Sequence, residues 1–348
     1  MRYRQLGNSG LRVSELCLGT MTFGDERSEG WGATRQEAQR IFETFVEHGG
    51  NFLDTANNYV GGTSERYVGE LVASERDRYV IATKYTAPVR GGDPNAFGNH
   101  RKSLVQSLDA SLERLQTDYV DLYWVHAWDS LTPLDELMRA LDDAVRAGKV
   151  LYVGASDTPA WVVSRANAIA ELRGWTPFSA IQVEYSLIQR TVEPDLLPMA
   201  AALELGLLAW GPLGRGLLTG KYSRGEGPAK GRLATDDGRR NERNMGIARV
   251  VDEVADDLGT ASTQVALAWL REQSELVTPL VGARTADQLT ESLGSLSVYL
   301  GDEHRRRLDE VSRVRLGFPH EFLAGLHARR AAVLGSNPID LPSRFPRV

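Results

Sequence analysis

The chain has 348 residues, of which 42% are hydrophobic and 25% are charged, proportions that are typical of a soluble globular protein. Its 40 basic and 46 acidic side chains give a net charge of −6, which excludes a global positive field that would attract nucleic acid or an anionic membrane. The single cysteine, Cys17, excludes an intramolecular disulfide and a cysteine-ligated zinc site.

In chain order, the first segment, Met1–Gly7, lacks the apolar core of a signal peptide. The most apolar stretch, Leu196–Trp210, is shorter than the roughly 20 residues that a membrane helix needs, so we expect a cytoplasmic protein. Short apolar runs recur along the whole chain, as is typical of strands buried on both faces of a parallel sheet. They predict eight strands, at Glu15–Leu18, Asn51–Leu53, Tyr79–Ala82, Val120–Val125, Val150–Val153, Ala180–Val183, Leu207–Trp210 and Val277–Leu280.

The segments between these strands predict amphipathic helices. An apolar stripe after Thr34 has helical spacing, and Thr34 with Glu37 three residues later has the pattern of a capping box. Gly49 and Gly50 are expected to end this helix. Leucines at helical spacing predict two more helices, and further helices are predicted at Asn241–Leu258 and Asp302–Val314.

Eight strands that alternate with helices predict an α/β fold, a (β/α)8 TIM barrel with extra helices. At about 150 residues per domain the length would suggest two domains, but no Pro-, Gly- or Ser-rich linker divides the chain. We therefore predict one barrel over residues 1–315 and a C-terminal extension over residues 316–348. The extension either folds over the barrel mouth or packs against another subunit. The long segment Tyr222–Arg240 is typical of a functional lid or a disordered connection.

Polar side chains close three consecutive predicted strands: Asp54, Lys84 and His126, with Tyr59 in the loop after Asp54. The active site of a βα barrel lies at these strand ends. Each residue alone has an ordinary structural explanation, as a turn cap, a solvated lysine or a core histidine. Their joint occurrence favours a catalytic cluster, because a buried Asp–Lys pair is costly unless other groups satisfy it.

These strand ends resemble those of the aldo-keto reductases. The resemblance is closest to the potassium-channel β-subunit-like and aryl-alcohol-dehydrogenase-like branches, and it covers roughly residues 1 to 315 in order. The segments that carry it are Gly19–Met21, Asn51–Tyr59, Thr83–Lys84, Asp118–His126, Gly154–Ser156, Gln182, Trp210–Gly216 and Val281–Thr285.

The resemblance implies an NADPH-dependent enzyme that reversibly transfers a hydride to the carbonyl of an aldehyde or ketone, without a metal ion. It implies that Tyr59 is the general acid that protonates the carbonyl oxygen. A free phenol, with a pKa near 10, is a poor acid at neutral pH, and we expect Lys84 to lower that pKa. Asp54 would neutralise Lys84, and His126 would orient the carbonyl.

The resemblance also implies the residues that contact the cofactor. Ser156, Asp157 and Gln182 would hold the nicotinamide carboxamide, and the ring would stack on Trp210. Arg284, which precedes a predicted helix, would bind the 2′-phosphate. The whole predicted cofactor set is Gly19, Thr20, Met21, Asp54, Ser156, Asp157, Gln182, Trp210, Gly211, Pro212, Leu213, Gly214, Arg215, Gly216, Lys221, Gly282, Arg284, Thr285, Gln288, Glu291 and Ser292.

Some residues depart from the family pattern. Asp157 and Ser292 stand where the family usually has Asn. His126 is followed by Ala127-Trp128-Asp129 where Arg-x-Asp is commoner, which places the indole of Trp128 beside the predicted site. Tyr59, His126, Trp128 and Trp31 are predicted to line the substrate pocket, which would favour aromatic or apolar aldehydes.

Three functional hypotheses remain at this point. The first is the NADPH-dependent reductase, whose partner is a small-molecule carbonyl substrate. The second is a regulatory subunit that binds the cofactor, senses redox state and turns over little. The third is a glycosidase-type barrel with paired carboxylates such as Asp54 and Glu184. The sequence does not decide between a monomer and a homo-oligomer.

Overall fold

The computed structural model describes residues 1–24, 32–88, 91–225 and 238–326. Eight parallel strands, β3 to β10, close into a barrel in which each strand pairs with its neighbours in chain order and β10 pairs with β3. The predicted TIM barrel is confirmed, and each of the eight predicted apolar runs overlaps one barrel strand. The strands are β1 (Tyr3–Gln5), β2 (Arg12–Ser14), β3 (Cys17–Gly19), β4 (Phe52–Asp54), β5 (Val80–Tyr85), β6 (Val120–Val125), β7 (Val150–Ser156), β8 (Phe178–Glu184), β9 (Gly206–Trp210) and β10 (Val277–Val281).

Helices surround the barrel and bury their apolar faces against it. They are α1 (Arg35–Glu47), α2 (Thr63–Val72), α3 (Arg101–Leu115), α4 (Leu134–Arg146), α5 (Ala160–Arg173), α6 (Leu196–Ala202), α7 (Glu242–Leu258), α8 (Ser262–Arg271), α9 (Ala286–Leu293) and α10 (Asp302–Ser312). Among the residues that the structure describes, no helix is long and apolar enough to span a membrane.

At the start of α1, one of the two hydrogen bonds of the predicted capping box forms, and the Glu37 side chain bonds elsewhere. The Thr34 side chain accepts the backbone N–H of Glu37, as expected for an N-cap residue. The Glu37 carboxylate does not complete a capping box; its Oε1 accepts the backbone N–H of Ala286, 2.7 Å away at the start of α9. The same side chain therefore ties α1 to α9, a long-range contact that the local pattern could not indicate.

The N-terminal hairpin of β1 and β2, which the sequence pattern did not predict, covers the N-terminal end of the barrel. Its Leu6 and Val13 are buried with the side chains that fill the barrel interior, among them Phe52 and Trp124. Gly7 has φ +59°, and a Cβ there would lie 2.5 Å from the carbonyl oxygen of Ser179. The hairpin therefore approaches the barrel more closely than any residue with a side chain would allow.

Three sequence predictions concern residues that the structure describes only partly or not at all. Trp31 lies outside the described residues, as do residues 226–237 of the predicted Tyr222–Arg240 connection. Of the predicted C-terminal extension, only residues 316–326 are described. There Phe318 and Phe322 are exposed, and His320 Nε2 lies 3.4 Å from an Asp195 carboxylate oxygen, just before α6.

Candidate active site

Strand alternation aims a set of polar side chains into the barrel at the C-terminal ends of the strands, here called the mouth. Val80 and Ala82 of β5 lie in the interior cluster, whereas Ile81 and Tyr85 pack outward against the helices. Because side chains alternate between faces along a strand, Lys84 points inward. The same alternation places further side chains inward on neighbouring strands: Asp54 beyond Phe52, Gln182 beyond Ala180, and Trp210 beyond Leu208.

Lys84 is the centre of a buried hydrogen-bonded group. Its side chain is completely buried, and Nζ forms a salt bridge with Asp54 Oδ2. Nζ also donates to the carbonyl oxygen of Thr55 at 2.8 Å and to Tyr59 Oη at 3.1 Å. The three donors of the ammonium thus have three acceptors, which meets the condition for a buried charge.

The ionisation of this pair follows from burial and charge. Burial alone would favour the neutral amine, but Asp54 and Tyr59 outweigh it and hold the pKa of Lys84 above its usual value. Burial raises the pKa of Asp54, and the Lys84 ammonium and a hydrogen bond from Gln182 oppose that rise. Since each charge compensates the other, we describe the pair as an ammonium and a carboxylate.

His126 lies beside Tyr59, with ring centroids 6.0 Å apart in an edge-to-face arrangement. Burial, together with the nearby Lys84 charge, lowers the pKa of His126 to about 3. The imidazole is therefore neutral at physiological pH. Its Nδ1 is buried without a hydrogen-bond partner among the described residues.

The residues predicted to hold a nicotinamide lie on β7, β8 and β9 of the same mouth. Gln182 Nε2 donates to Asp54 Oδ1 at 3.0 Å, which connects them to the Lys84 group. Ser156 is buried at the end of β7. Asp157, with φ +44°, accepts a hydrogen bond from Trp210 Nε1 at 3.0 Å. This contact gives the indole a defined orientation, and sequence reasoning had not assigned it to Asp157.

The loop after β9 has the backbone of a tight, glycine-dependent turn. Gly211, Gly214, Arg215 and Gly216 all have φ between +55° and +93°. The Lys221 side chain lies over Gly216, where a Cβ would come within 2.6 Å of Nζ. Pro212 is buried and Leu213 is half-buried in the same loop.

Arg239, which sequence reasoning missed, forms a salt bridge with Glu184 at the end of β8. The contact joins residues 55 positions apart in the sequence, so no local pattern could have indicated it.

At the start of α9, some of the residues predicted to bind the adenylate end are exposed and others are buried or bonded within the helix. Among the described residues, no carboxylate forms a salt bridge with Arg284. Thr285 caps the helix by accepting the N–H of Gln288, and the Gln288 side chain accepts the N–H of Arg284 at 3.0 Å. Glu291 is exposed, whereas Ser292 is buried and donates its hydroxyl to the Gln288 carbonyl.

On the first barrel strands, the predicted cofactor residues support the backbone around Asp54. The Thr20 hydroxyl and backbone N–H both bond to the carbonyl oxygen of Asp54. Met21 follows Thr20 at the same strand end and is half-buried. Gly19 ends β3, and Gly282 lies beside it, where a Cβ would be 3.5 Å from the Gly19 carbonyl oxygen.

Two tryptophans form an aromatic wall beyond the ends of β6 and β7. The indole of Trp128 contacts that of Trp161 edge-to-face, with ring centroids 5.4 Å apart. Trp161, on the first turn of α5, is 58% exposed, so the pair presents an aromatic surface to solvent. Sequence reasoning named Trp128 and missed Trp161, because the two lie more than thirty positions apart in the chain.

Comparison with known proteins places the chain in a family. The model described as "Aldo/keto reductase family" matches residues 15–313. The chain is 41% identical over 330 residues to norsolorinic acid reductase of Aspergillus flavus, a match covering 91% of this chain and 82% of that protein.

Two further relatives are aryl-alcohol dehydrogenases. The chain is 38% identical over 330 residues to one from Pestalotiopsis microspora, covering 92% of this chain and 85% of the relative. It is 37% identical over 328 residues to a putative one from Saccharomyces cerevisiae, covering 90% and 87%. These relatives confirm the resemblance to the aryl-alcohol-dehydrogenase-like branch, and the chain belongs to the aldo/keto reductase family of oxidoreductases.

Proposed function

We propose that the chain is an NADPH-dependent reductase that acts reversibly on the carbonyl group of an aldehyde or ketone, with Tyr59 as the general acid. The observation that carries this proposal is the buried Lys84 ammonium, which bonds to Asp54 and to Tyr59 Oη in one group. It connects a charge to a phenol that lies at the open end of a barrel, where a carbonyl substrate can reach it.

In the proposed mechanism, NADPH supplies the hydride when bound. Tyr59 Oη gives its proton to the carbonyl oxygen as negative charge develops there. Lys84 donates a hydrogen bond to the same phenolic oxygen, so its ammonium stabilises the phenolate that remains. Asp54 keeps the ammonium charged and in place. The neutral His126, beside Tyr59, orients the carbonyl.

The residues present fit a nicotinamide cofactor. The turn after β9 exposes backbone in left-handed conformations, which suits close approach of a pyrophosphate. Arg284, which has no carboxylate partner among the described residues, leaves its guanidinium free for the 2′-phosphate of NADPH. We propose the predicted residues at the ends of β3, β7, β8, β9 and β10 as the remaining contacts.

For the substrate, we propose an aryl aldehyde or aryl ketone. The wall of Trp128 and Trp161 supplies an apolar, flat surface, and Trp128 lies two residues after His126 in the chain. Relatives named aryl-alcohol dehydrogenase support the same substrate class. A glycosidase reaction has no support, since Asp54 and Glu184 are each paired with a cation and the family consists of oxidoreductases.

We further propose that residues 1–315 form the catalytic barrel and that residues 316–348 form an extension of it. The family match over residues 15–313 supports the first part. A single, fully buried cysteine suits a reducing compartment and supports a cytoplasmic location.

The test is NADPH oxidation by the purified chain with a panel of benzaldehydes, aliphatic aldehydes and ketones. We expect turnover with the aryl carbonyls and its loss in Tyr59→Phe. The control is NADPH binding, followed by quenching of tryptophan fluorescence, which both proteins should show. Tight NADPH binding without turnover of any carbonyl would contradict the proposal and favour the regulatory subunit.

A further inference from the structure

A buried side-chain amide joins two loops of the mouth. Asn99, in the connection between β5 and α3, is completely buried. Its Nδ2 donates to Thr86 Oγ1 and to the carbonyl oxygen of Ala127, each at 2.9 Å. Its Oδ1 accepts the backbone N–H of Asp129 at 2.8 Å. One amide thus bonds to the loop after β5 and, twice, to the loop after β6.

The backbone around Asn99 strengthens this bridge. The N–H of Asn99 donates to Asp129 Oδ2 at 2.7 Å, and Asp129 Oδ1 accepts the N–H groups of Leu131 and Thr132. Gly98, with φ +106°, allows this close approach, because a Cβ there would lie 2.9 Å from Asp129 Oδ2 and would displace the carboxylate. The two loops are therefore held together as one hydrogen-bonded unit.

This unit determines where His126 stands. The backbone N–H of His126 donates to Thr86 Oγ1 at 3.2 Å and to the Tyr85 carbonyl at 3.3 Å. Asn99 holds that same Thr86 hydroxyl and also the carbonyl of Ala127, the next residue after His126. The imidazole has no partner at Nδ1 among the described residues, so its position depends on this backbone.

Thr86 has an unusual backbone conformation, which indicates that its contacts fix the position of this residue. Its φ is +94°, which is rare for a β-branched residue. Such conformations persist where surrounding contacts determine them fully, and Thr86 is bonded through its hydroxyl and through its carbonyl, which accepts the Gly98 N–H.

We propose that Asn99 is a positioning residue that acts through Thr86 and the 126–129 backbone to hold His126, and with it Trp128, at the substrate. The inference rests on the proposed function, in which His126 orients the carbonyl. Asn99 itself touches neither substrate nor cofactor in this proposal. Because misplacement by about 1 Å can cost on the order of 100-fold in rate, loss of the bridge should reduce carbonyl reduction strongly.

The first experiment compares Asn99→Ala with Asn167→Ala as a matched control. Asn167 also uses its side-chain amide in two backbone hydrogen bonds, to the N–H and the carbonyl of Phe178 at the start of β8, far from the mouth. We expect Asn99→Ala to lower kcat/KM for an aryl aldehyde by about 10- to 100-fold, mostly in kcat, with NADPH affinity unchanged. Asn167→Ala should leave both constants unchanged.

The second experiment keeps the inference testable if Asn99→Ala does not fold. Thr86→Val removes the hydroxyl between Asn99 and His126 and keeps the size and branching of the side chain, whereas Thr86→Ser keeps the hydroxyl. We expect Thr86→Val to lose about 10-fold in kcat and Thr86→Ser to retain wild-type kcat. A merely structural role would not separate these two variants in kcat at equal fractions of folded protein.

The outcomes separate this inference from the proposed function. If the wild-type chain reduces no carbonyl compound, the proposed function fails before any variant is compared. If the wild type is active and Thr86→Val keeps wild-type kcat, or Asn99→Ala loses no more activity than Asn167→Ala, then Asn99 is not a positioning residue.

Discussion

The two ends of the barrel are built differently. At the N-terminal end, the hairpin of β1 and β2 covers the strands, and the buried Glu15 carboxylate accepts hydrogen bonds from Arg2 and Arg271. Among the described residues, five other than glycine have a positive φ at the mouth, in the loops that follow β4, β5, β6, β7 and β9: Val60, Thr86, Ser130, Asp157 and Arg215. Two more, Gln116 and Glu204, precede β6 and β9 at the opposite end. Strained backbone is thus concentrated where the proposed chemistry takes place.

This difference assigns separate tasks to the two ends. A covered end with paired charges contributes to the stability of the barrel. An end with strained turns, a neutral, half-buried histidine and an exposed tryptophan gives up stability for a site that is shaped before substrate arrives. Substitutions at the mouth should therefore change activity more than stability, and substitutions at the covered end should do the reverse.

The largest expected effect is at Tyr59. Tyr59→Phe removes the hydroxyl that bonds to Lys84 and gives up the proton, so we expect kcat to fall by about 100- to 10,000-fold. NADPH affinity, measured by tryptophan fluorescence, should stay close to wild type. The midpoint of urea unfolding should fall modestly, because the buried Lys84 ammonium loses one of its three acceptors. Substantial residual turnover would remove Tyr59 from its acid role.

The next largest effect concerns the pH dependence of stability at His126. The folded-state pKa of about 3 lies below the unfolded value of about 6.5, so protons bind the unfolded chain preferentially. Above pH 6.5 the neutral His126 therefore costs the folded state nothing, and the free energy of unfolding decreases as the pH falls from 6.5 towards 3.

Changing His126 to Gln tests this pH dependence. At pH 4.5 the histidine should cost about 2 to 3 kcal/mol relative to neutral pH, and His126→Gln should not show that loss. The measurement is the free energy of urea unfolding of both proteins at pH 7 and pH 4.5. Equal losses in the two proteins would show that His126 is not held neutral by burial.

A smaller effect is expected for cofactor choice. Arg284→Ala should weaken NADPH binding by about 10- to 100-fold, the range for loss of a charge-assisted hydrogen bond, and leave NADH binding nearly unchanged. Dissociation constants for both cofactors, measured by fluorescence titration at one salt concentration, provide the check. Equal weakening of NADPH and NADH would mean that Arg284 does not bind the 2′-phosphate.

The smallest effect tests the covered end. Glu15→Gln removes the negative charge that faces Arg2 and Arg271 and keeps one oxygen that can accept a hydrogen bond, so we expect a loss of about 1 kcal/mol in the free energy of unfolding. The kcat for an aryl aldehyde should be unchanged. A fall in kcat without a loss of stability would contradict the separation of tasks between the two ends.

The sequence by itself determined the barrel and the polar side chains that close its early strands. Each barrel strand is a short apolar run, and such a run can be recognised in the sequence without knowing which strands it pairs with. Asp54, Lys84 and His126 follow such runs directly, and so their placement at one end could be predicted from strand direction alone. The structure brings Asp54, Lys84 and Tyr59 into one hydrogen-bonded group, whereas their catalytic roles stay predictions.

Only the tertiary structure decided how that mouth is supported. The strands of the N-terminal hairpin are three residues each and largely polar, so no periodic pattern marks them. The Glu184–Arg239 salt bridge, the Trp128–Trp161 wall and the Asn99 bridge join residues far apart in the chain. Local periodicity reports which face of one element is buried, but hydrogen bonds between loops depend on distances that exist only after the barrel has closed.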